Sequence, residues 1–309
     1  IDIRDYDWDR KVSISEGPQV GRVYDDVWEL IADQNEYTIE YEGDNAEKIK
    51  LDTFTRFPVL QADAFVDATS RSPLYYDVLS IPTRRQDLEK EFGINLAADI
   101  NKEITEDPNK VARAAFHKSD VSDFHRVIER HEFPDASNRV YWISFDFSSE
   151  AGDKNVFVNP LDFLFDGGEI IFNLQNGLQG YMLVNNAGDR LNEAPTNIVR
   201  DKNQKDGIVR NGISCMGCHS SGMITAQDDL RWEIDNGEGA GIFDDPERDQ
   251  IRRLYPERSE FEVLLAEDTQ RFTASVEALT IPSESKDEPI VTTFLAFAED
   301  VKLRRAAAE

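Results

Sequence analysis

Both cysteines of the chain lie within five residues of each other, in the segment Cys215-Met216-Gly217-Cys218-His219. This C-x-x-C-H spacing is the attachment signature of a c-type haem. On a helical turn, residues at i and i+3 face the same side, so the thiols of Cys215 and Cys218 can add to the two vinyl groups of one porphyrin. The imidazole of His219 can then bind the iron from the proximal side. The sequence therefore predicts one covalently bound haem c.

Closely spaced cysteines also occur in zinc sites, in thiol–disulfide enzymes and in structural disulfides. A structural zinc ion takes four ligands, so His117, His125 or His131 would have to complete the set, because the chain has no second cysteine pair. A thioredoxin-like pair follows a buried strand, whereas residues 209–214 are interrupted by Asn211-Gly212. A plain disulfide stays open on composition alone. The histidine directly after the second cysteine favours haem over these alternatives.

The second axial position of the iron has no evident ligand downstream of the motif. Small soluble cytochromes c usually take a methionine there, but Met223 follows His219 by only four residues. Met223 would lie on the same side of the porphyrin as His219, and Met216 is inside the motif. A distal ligand, if there is one, is therefore expected from the N-terminal two-thirds of the chain.

The preferred distal candidate is His131, and Met182 is the alternative. Residues 122–130 are predicted to form a helix capped by Ser122, with His131 at the end of its apolar face. That face also carries Phe124, Val127 and Ile128. His131 would either bind the iron or be a hydrogen-bonded core histidine, and Met182, on a hairpin strand, would otherwise be ordinary core. His117 and His125 are expected to face solvent.

The chain is strongly acidic, with 61 Asp and Glu against 34 Lys and Arg and a net charge of −27. Such a charge repels phosphate backbones and excludes nucleic-acid binding. It suits a solvated surface, a basic redox partner, or Ca²⁺ at the loops Asp235-Asn236-Gly237-Glu238 and Asp244-Asp245, which do not have EF-hand spacing. Apolar runs such as Ile170-Ile171-Phe172 are too short to span a bilayer. The absence of a leader before Ile1 suggests a mature exported chain.

The predicted fold class is α+β, with an antiparallel β-meander and helices. Residues 1–56 are interpreted as a β-rich segment and residues 57–309 as the haem-binding domain. Strands are predicted at 37–41, 48–54 and 141–147, and at 169–175 and 178–184 around the hairpin signal Asn176-Gly177. Helices are predicted at 63–68, 75–79 and 86–92, after a capping box at 259–262, and at 289–308. The motif itself is expected on a helical turn before this helical C-terminal third.

Three stretches of this sequence resemble a group of large monohaem c-type cytochromes that are predicted exported bacterial proteins. They are Gly168-Glu169-Ile170-Ile171-Phe172, Asn176-Gly177-Leu178-Gln179-Gly180-Tyr181 and Asn211-Gly212-Ile213-Ser214-Cys215-Met216-Gly217-Cys218-His219. The resemblance runs from about Phe57 to the C-terminus and includes Val127-Ile128-Glu129-Arg130-His131. It implies a periplasmic or extracellular haem protein, without an activity.

Three functions are compatible with these motifs and with the acidic composition. The first is electron transfer through a six-coordinate haem, with the acidic surface steering a basic partner. The second is a peroxidase-type enzyme or small-ligand binder with an open distal position, in which Arg130 and His131 would have to converge although adjacent helical residues point about 100° apart. The third is a haem-bearing subunit of a larger exported assembly, docked through the strands of residues 1–56. We expect the electron carrier.

Overall fold

The structure is a computed structural model that describes residues 4, 7–13, 20–35, 38, 40–53, 56–57, 59–135, 137–202, 204–237, 241–279 and 289–298. The fold class is α+β, as the sequence predicted. The chain forms two compact units, the first from residues 1–80 and 289–309 and the second from residues 81–288. The predicted border after residue 56 lies inside the first unit, and the C-x-x-C-H motif belongs to the second.

The first unit is mainly helical in its described residues. Its elements are β1 (Val12–Ser13), β2 (Val23–Tyr24), α1 (Val27–Gln34), α2 (Asp44–Thr53), α3 (Ala62–Thr69), α4 (Leu74–Leu79) and α11 (Pro289–Ala298). Strands β1 and β2 pair antiparallel, and a small core forms around Trp8, Val27, Ile31 and Leu74.

One predicted strand of this unit is wrong. Residues 48–54 were expected to be extended, but α2 runs through Thr53. Half of its ten residues are Ala, Glu, Lys or Leu, which have high helix propensity. Only Ala46 is buried, so the segment has no half-buried strand face. The predicted strand at 37–41 falls partly on residues 37 and 39, which lie outside the described residues. The helices expected at 63–68 and 75–79 are confirmed by α3 and α4.

The second unit is built on an antiparallel sheet. In the described residues six strands form it, in the chain order β3 (Val111–Phe116), β4 (Arg126–Glu132), β5 (Val140–Asp146), β6 (Gly167–Asn173), β7 (Gln179–Asn185) and β8 (Arg190–Leu191). Its helices are α5 (Arg85–Phe92), α6 (Leu96–Glu106), α7 (Ile213–Cys218), α8 (Leu230–Asn236), α9 (Asp245–Leu254) and α10 (Arg258–Leu279). The meander and the helix at 86–92 are thus confirmed.

Both faces of this sheet are covered. Successive side chains of a strand point to opposite faces, so the register sorts the residues. We call the side that carries Arg126, Trp142 and Glu169 the motif face, and the other side the far face. On the motif face, Trp142 packs edge-on against Phe261 of α10, with ring centroids 5.8 Å apart. On the far face, the Tyr141 hydroxyl donates to Glu89 of α5 over 3.1 Å.

The predicted helix at 122–130 is wrong, because residues 126–132 form β4. This strand pairs with β3 on one side and β5 on the other, with Ile128 opposite Ala114 and Ser144. Since the sheet is covered on both faces, β4 has apolar residues on each of them, and clean alternation is lost. The helical spacing of Val127, Ile128 and His131 is therefore coincidental.

The hairpin and the C-terminal helices agree with the prediction from sequence better than β4 does. Strands β6 and β7 flank Asn176-Gly177, where Gly177 has a φ of +82°, and the Asn176 side chain accepts from the Leu178 N–H over 3.1 Å. The capping box predicted at 259–262 is wrong, because α10 already begins at Arg258 and the Glu260 side chain accepts from the Glu257 N–H over 3.2 Å. The last predicted helix is present over 289–298, and its remainder lies outside the described residues. Among the described helices, none has the length and apolarity needed to cross a bilayer.

Candidate functional site

The C-x-x-C-H motif lies on a single short helix at the edge of a cavity. Helix α7 starts after Gly212, whose φ of +90° lies in the region that favours glycine. It ends at Cys218, and the His219 N–H donates to the Cys215 carbonyl over 2.8 Å. Cys215 and His219 are buried, and Cys218 is half-buried. Both cysteines are free thiols and lie one turn apart on α7.

Two adjoining cavities meet at this motif. The larger, of about 580 Å³, lies between the motif face and the loops 118–121 and 223–229, and His219 lines it. The smaller, of about 60 Å³, is lined by Cys215, Cys218 and His219. The two share the lining residues Val121, Arg126, Glu169, His219 and Ile224. Cofactor sites usually enclose about 300–1,000 Å³, so the larger cavity has the size of such a site.

The imidazole of His219 is held with one nitrogen toward the cavity. Its Nδ1 lies 3.2 Å from the Gly222 carbonyl oxygen, which can only accept, so Nδ1 carries the proton. In this tautomer Nε2 carries a lone pair that can bind a metal. A carbonyl that fixes the tautomer in this way is the usual outer-shell partner of a metal-binding histidine. The Tyr181 ring lies beside the imidazole, with centroids 5.9 Å apart.

Glu169, on β6, is the acidic side chain at the centre of the site. Its Oε2 lies 3.8 Å from Nε2 of His219 and 3.9 Å from a guanidinium nitrogen of Arg126. Burial opposes the ionisation of Glu169, whereas His219 in its protonated form and, after it, Arg126 lower the pKa of this carboxyl. Burial raises the pKa of the Cys215 thiol, and the neighbouring Glu169 carboxylate, to which the thiol is hydrogen-bonded, raises it further. Burial also raises the pKa of Cys218, to about 11.

Arg126 and Asp146 complete this charged group on the motif face. The Arg126 Nε lies 2.8 Å from the Asp146 carboxylate, and its Nη2 donates to the Ser144 hydroxyl over 3.0 Å. Burial raises the pKa of Asp146 although Arg126 lowers it. Arg126, Asp146 and Glu169 were not predicted from the sequence as site residues. The available signal was a charged residue within a buried strand, such as Glu169 directly before Ile170-Ile171-Phe172.

The structure does not bring His131 or Met182 to the motif. Both lie on the far face, and the sheet separates them from His219. His131 is buried and donates from Nε2 to Glu129 over 2.7 Å, while its Nδ1 lies 3.4 Å from Asp99. Met182 is fully buried. The two predicted distal ligands are therefore corrected to core residues of the far face.

The Arg130–His131 pair is also divided by the sheet. Adjacent strand residues point to opposite faces, so Arg130 is on the motif face, where its Nε lies 2.9 Å from the Asp268 carboxylate. His131 points to the far face. These two side chains cannot act together as the base and charged donor of a peroxidase.

His117 and His125 form a separate cluster away from the thiols. Nδ1 of His117 lies 3.3 Å from Nε2 of His125, and the His117 ring stacks on Phe157 at 3.9 Å. The prediction that both face solvent is right for His117 but wrong for His125, which is 4% exposed. Neither lines the cavities that meet at the motif, so they do not complete a Cys₂His₂ zinc set.

The proposed calcium loops are occupied by protein contacts. The Asp235 carboxylate receives Arg231 at 2.6 Å and Arg252 at 2.8 Å. Asp244 caps α9 in a capping box with Glu247, and residue 238 lies outside the described residues. Across the part of the chain that is described, no three His, Cys, Asp or Glu side chains are grouped as a metal site.

The residues at the motif fit a covalently bound haem. Two free thiols one turn apart line the small cavity, and the imidazole beside them presents an unprotonated nitrogen to the large one. In the comparisons with known proteins, no family model, curated protein or solved structure matches this chain.

Proposed function

We propose that this chain is a monohaem c-type cytochrome that transfers electrons. Cys215 and Cys218 would hold the haem through thioether bonds, and His219 would be the proximal axial ligand. The observation that carries the proposal is that both thiols line the smaller cavity and His219 lines both cavities, while the Gly222 carbonyl favours the tautomer that leaves a lone pair on Nε2. When bound, the haem supplies one-electron redox chemistry.

The protein's side chains would form the wall of the haem cavity and set the charge that a redox partner meets. Ile128, Trp142 and Ile171 give one side of the larger cavity an apolar wall. The net charge of −27 favours a basic redox partner and an association rate that falls as salt rises. We place the protein in the periplasm or outside the cell, in keeping with the resemblance to exported monohaem cytochromes.

A second candidate function is small-ligand binding at an open iron position, including peroxidase-type chemistry. It is favoured because His131 and Met182, the two predicted distal ligands, lie on the far face and cannot bind an iron at the motif face. Among the described residues that line the two cavities, His219 is the only histidine and Met223 is the only methionine. Met223 follows His219 in the same loop, and its sulfur accepts from the Gln179 amide over 3.5 Å.

Mass spectrometry of the protein purified from its native source tests the covalent site. The denatured chain should carry the mass of one haem, and its alkaline pyridine spectrum should indicate two thioethers. Cys215→Ser and Cys218→Ser should each leave a single thioether, and the double variant should carry no covalent haem. A wild-type mass equal to the bare polypeptide would exclude the proposal.

Spectra of the oxidised, haem-loaded protein test the identity of the axial ligand and distinguish the two functions. His219→Ala should abolish the native visible spectrum, whereas His117→Ala, a change to an exposed histidine of the separate cluster, should leave it intact. A low-spin signal in electron paramagnetic resonance supports the electron carrier. A high-spin signal together with rapid binding of cyanide or CO supports the ligand binder.

A further inference from the structure

We propose that the carboxylate of Glu169 lowers the reduction potential of the iron by stabilising its oxidised state. The inference rests on the proposed haem site, because it takes Nε2 of His219 as the iron-binding atom. Glu169 is not assigned as a ligand. Its part is electrostatic, and the atoms involved are its two carboxylate oxygens.

The first support is the position of Glu169. Its Oε2 lies 3.8 Å from Nε2 of His219, and the same side chain lines both cavities. Glu169 sits in β6, an inner strand paired with β5 and β7, and its N–H donates to the Ser144 hydroxyl over 2.8 Å. A carboxylate on an inner strand is held in place, so its field at the iron-binding nitrogen does not depend on a flexible loop.

The second support is the balance of charge around it. Arg126 contributes one positive charge, and Asp146 and Glu169 contribute two negative charges, so these three side chains together are net negative. Arg126 lies closer to Asp146, at 2.8 Å, than to Glu169, at 3.9 Å. The charge of Glu169 is therefore the less compensated of the two.

Exposed residues at the cavity rim do not reverse this sign. There Lys118 lines the cavity with Asp120, which pairs with Lys202 at 3.5 Å, and with the half-buried Asp229, so the charges of these four side chains cancel. A negative charge in a partly desolvated site interacts more strongly with ferric than with ferrous iron, because the oxidised ion carries one more positive charge. The arrangement therefore favours the oxidised state.

The alternative explanation is that Glu169 is only a structural partner of the Cys215 thiol and of Arg126. In that case its replacement would change stability or haem loading but not the potential of the loaded protein. Potential and stability are separate measurements, so the two explanations are distinguishable. Glu169→Asp keeps the charge, and Glu169→Gln removes the charge but keeps the shape.

The test is a redox titration of the full-length, haem-loaded chain, followed by visible absorbance. Glu169→Gln should raise the midpoint potential by at least 59 mV, which for one electron is a tenfold change in the equilibrium constant of reduction. Glu169→Asp should stay closer to wild type. The matched control is Glu89→Gln, a buried glutamate on α5 that contacts the far face through Tyr141, and it should leave the potential unchanged.

The outcomes separate this inference from the proposed function. A wild-type chain without covalent haem would exclude the haem site itself. A loaded Glu169→Gln protein with the wild-type potential would overturn only the role of Glu169. If Glu169→Gln does not load haem, Asp146→Asn decides: removing this neighbouring negative charge should also raise the potential, and an unchanged value would overturn the inference.

Discussion

His131 and His219 lie on opposite faces of one antiparallel sheet. His131 is fixed on the far face by Glu129, whereas His219 contacts Glu169 on the motif face. The two imidazoles therefore cannot bind one iron from its two sides. The axial ligation proposed here has one protein histidine, and the second position is left to a residue or ligand at the motif face.

Replacing His131 should lower stability and leave the proposed haem site unchanged. His131→Ala removes a buried hydrogen bond to a charged acceptor and should lower the free energy of unfolding by about 1.5–3 kcal/mol. The visible spectrum and the spin state of the loaded protein should equal those of wild type. Denaturant unfolding and electron paramagnetic resonance measure the two effects, and a loss of low-spin character in His131→Ala would contradict the assignment of His131 to the core.

The Glu129–His131 contact should make stability depend on pH in two ranges. Burial opposes the charge of Glu129, but Arg113 and His131 lower its pKa from an ordinary 4.5 to about 2. Its contribution is therefore complete above pH 4.5 and is lost as the pH falls toward 2. Burial opposes protonation of His131, but Glu129 and Asp99 raise its pKa above 6.5. Its contribution is complete below pH 6.5 and is lost as the pH rises through the folded pKa.

Unfolding by urea at a series of pH values measures this dependence. Wild type should lose stability above pH 6.5, and His131→Ala should lose much less over the same range, because the group that titrates is gone. His117→Ala provides the control with an exposed imidazole. Identical slopes for wild type and His131→Ala above pH 6.5 would contradict the raised pKa.

The parts of the site that could be predicted from sequence are those set by local geometry. The i, i+3 spacing of Cys215 and Cys218 needs only one helical turn, and that turn is α7. The hairpin at Asn176-Gly177 depends on backbone conformations that these two residues favour. Both features depend only on the conformations of a few consecutive residues, so they can be predicted from sequence.

The distal candidates failed because they depend on which face of the sheet a residue occupies. A strand covered on both faces carries apolar residues on both, and in β4 this pattern coincided with helical spacing. Arg126, Asp146 and Glu169 were missed because they lie on three different strands. Their proximity to the motif depends on the register of β4, β5 and β6, which no local pattern specifies.

The ion pair between Arg130 and Asp268 should be a main attachment of α10 to the sheet. Asp268 is buried and accepts from Arg130 and from the Trp142 indole, each over 2.9 Å. Asp268→Ala would leave the buried Arg130 guanidinium with only the partly exposed Glu132 carboxylate, 3.2 Å away, and should cost about 3 kcal/mol. Arg271→Ala removes a partially exposed partner of the same carboxylate and should cost less than about 1 kcal/mol. Equal losses in the two variants, measured by denaturant unfolding, would show that the buried pair has no special weight.

A glycine next to Glu169 should be essential for the packing of β5 against β6. A Cβ at Gly168 would lie 1.9 Å from the Ser144 carbonyl oxygen, so alanine would force the two strands apart and displace the carboxylate that follows it. Gly168→Ala should cost about 3 kcal/mol of stability and reduce covalent haem loading, measured by unfolding and by the mass of the purified chain. Gly241→Ala is the matched control, since its Cβ would meet no atom within 4 Å. Wild-type stability and loading in Gly168→Ala would mean that the sheet tolerates a wider spacing at the site.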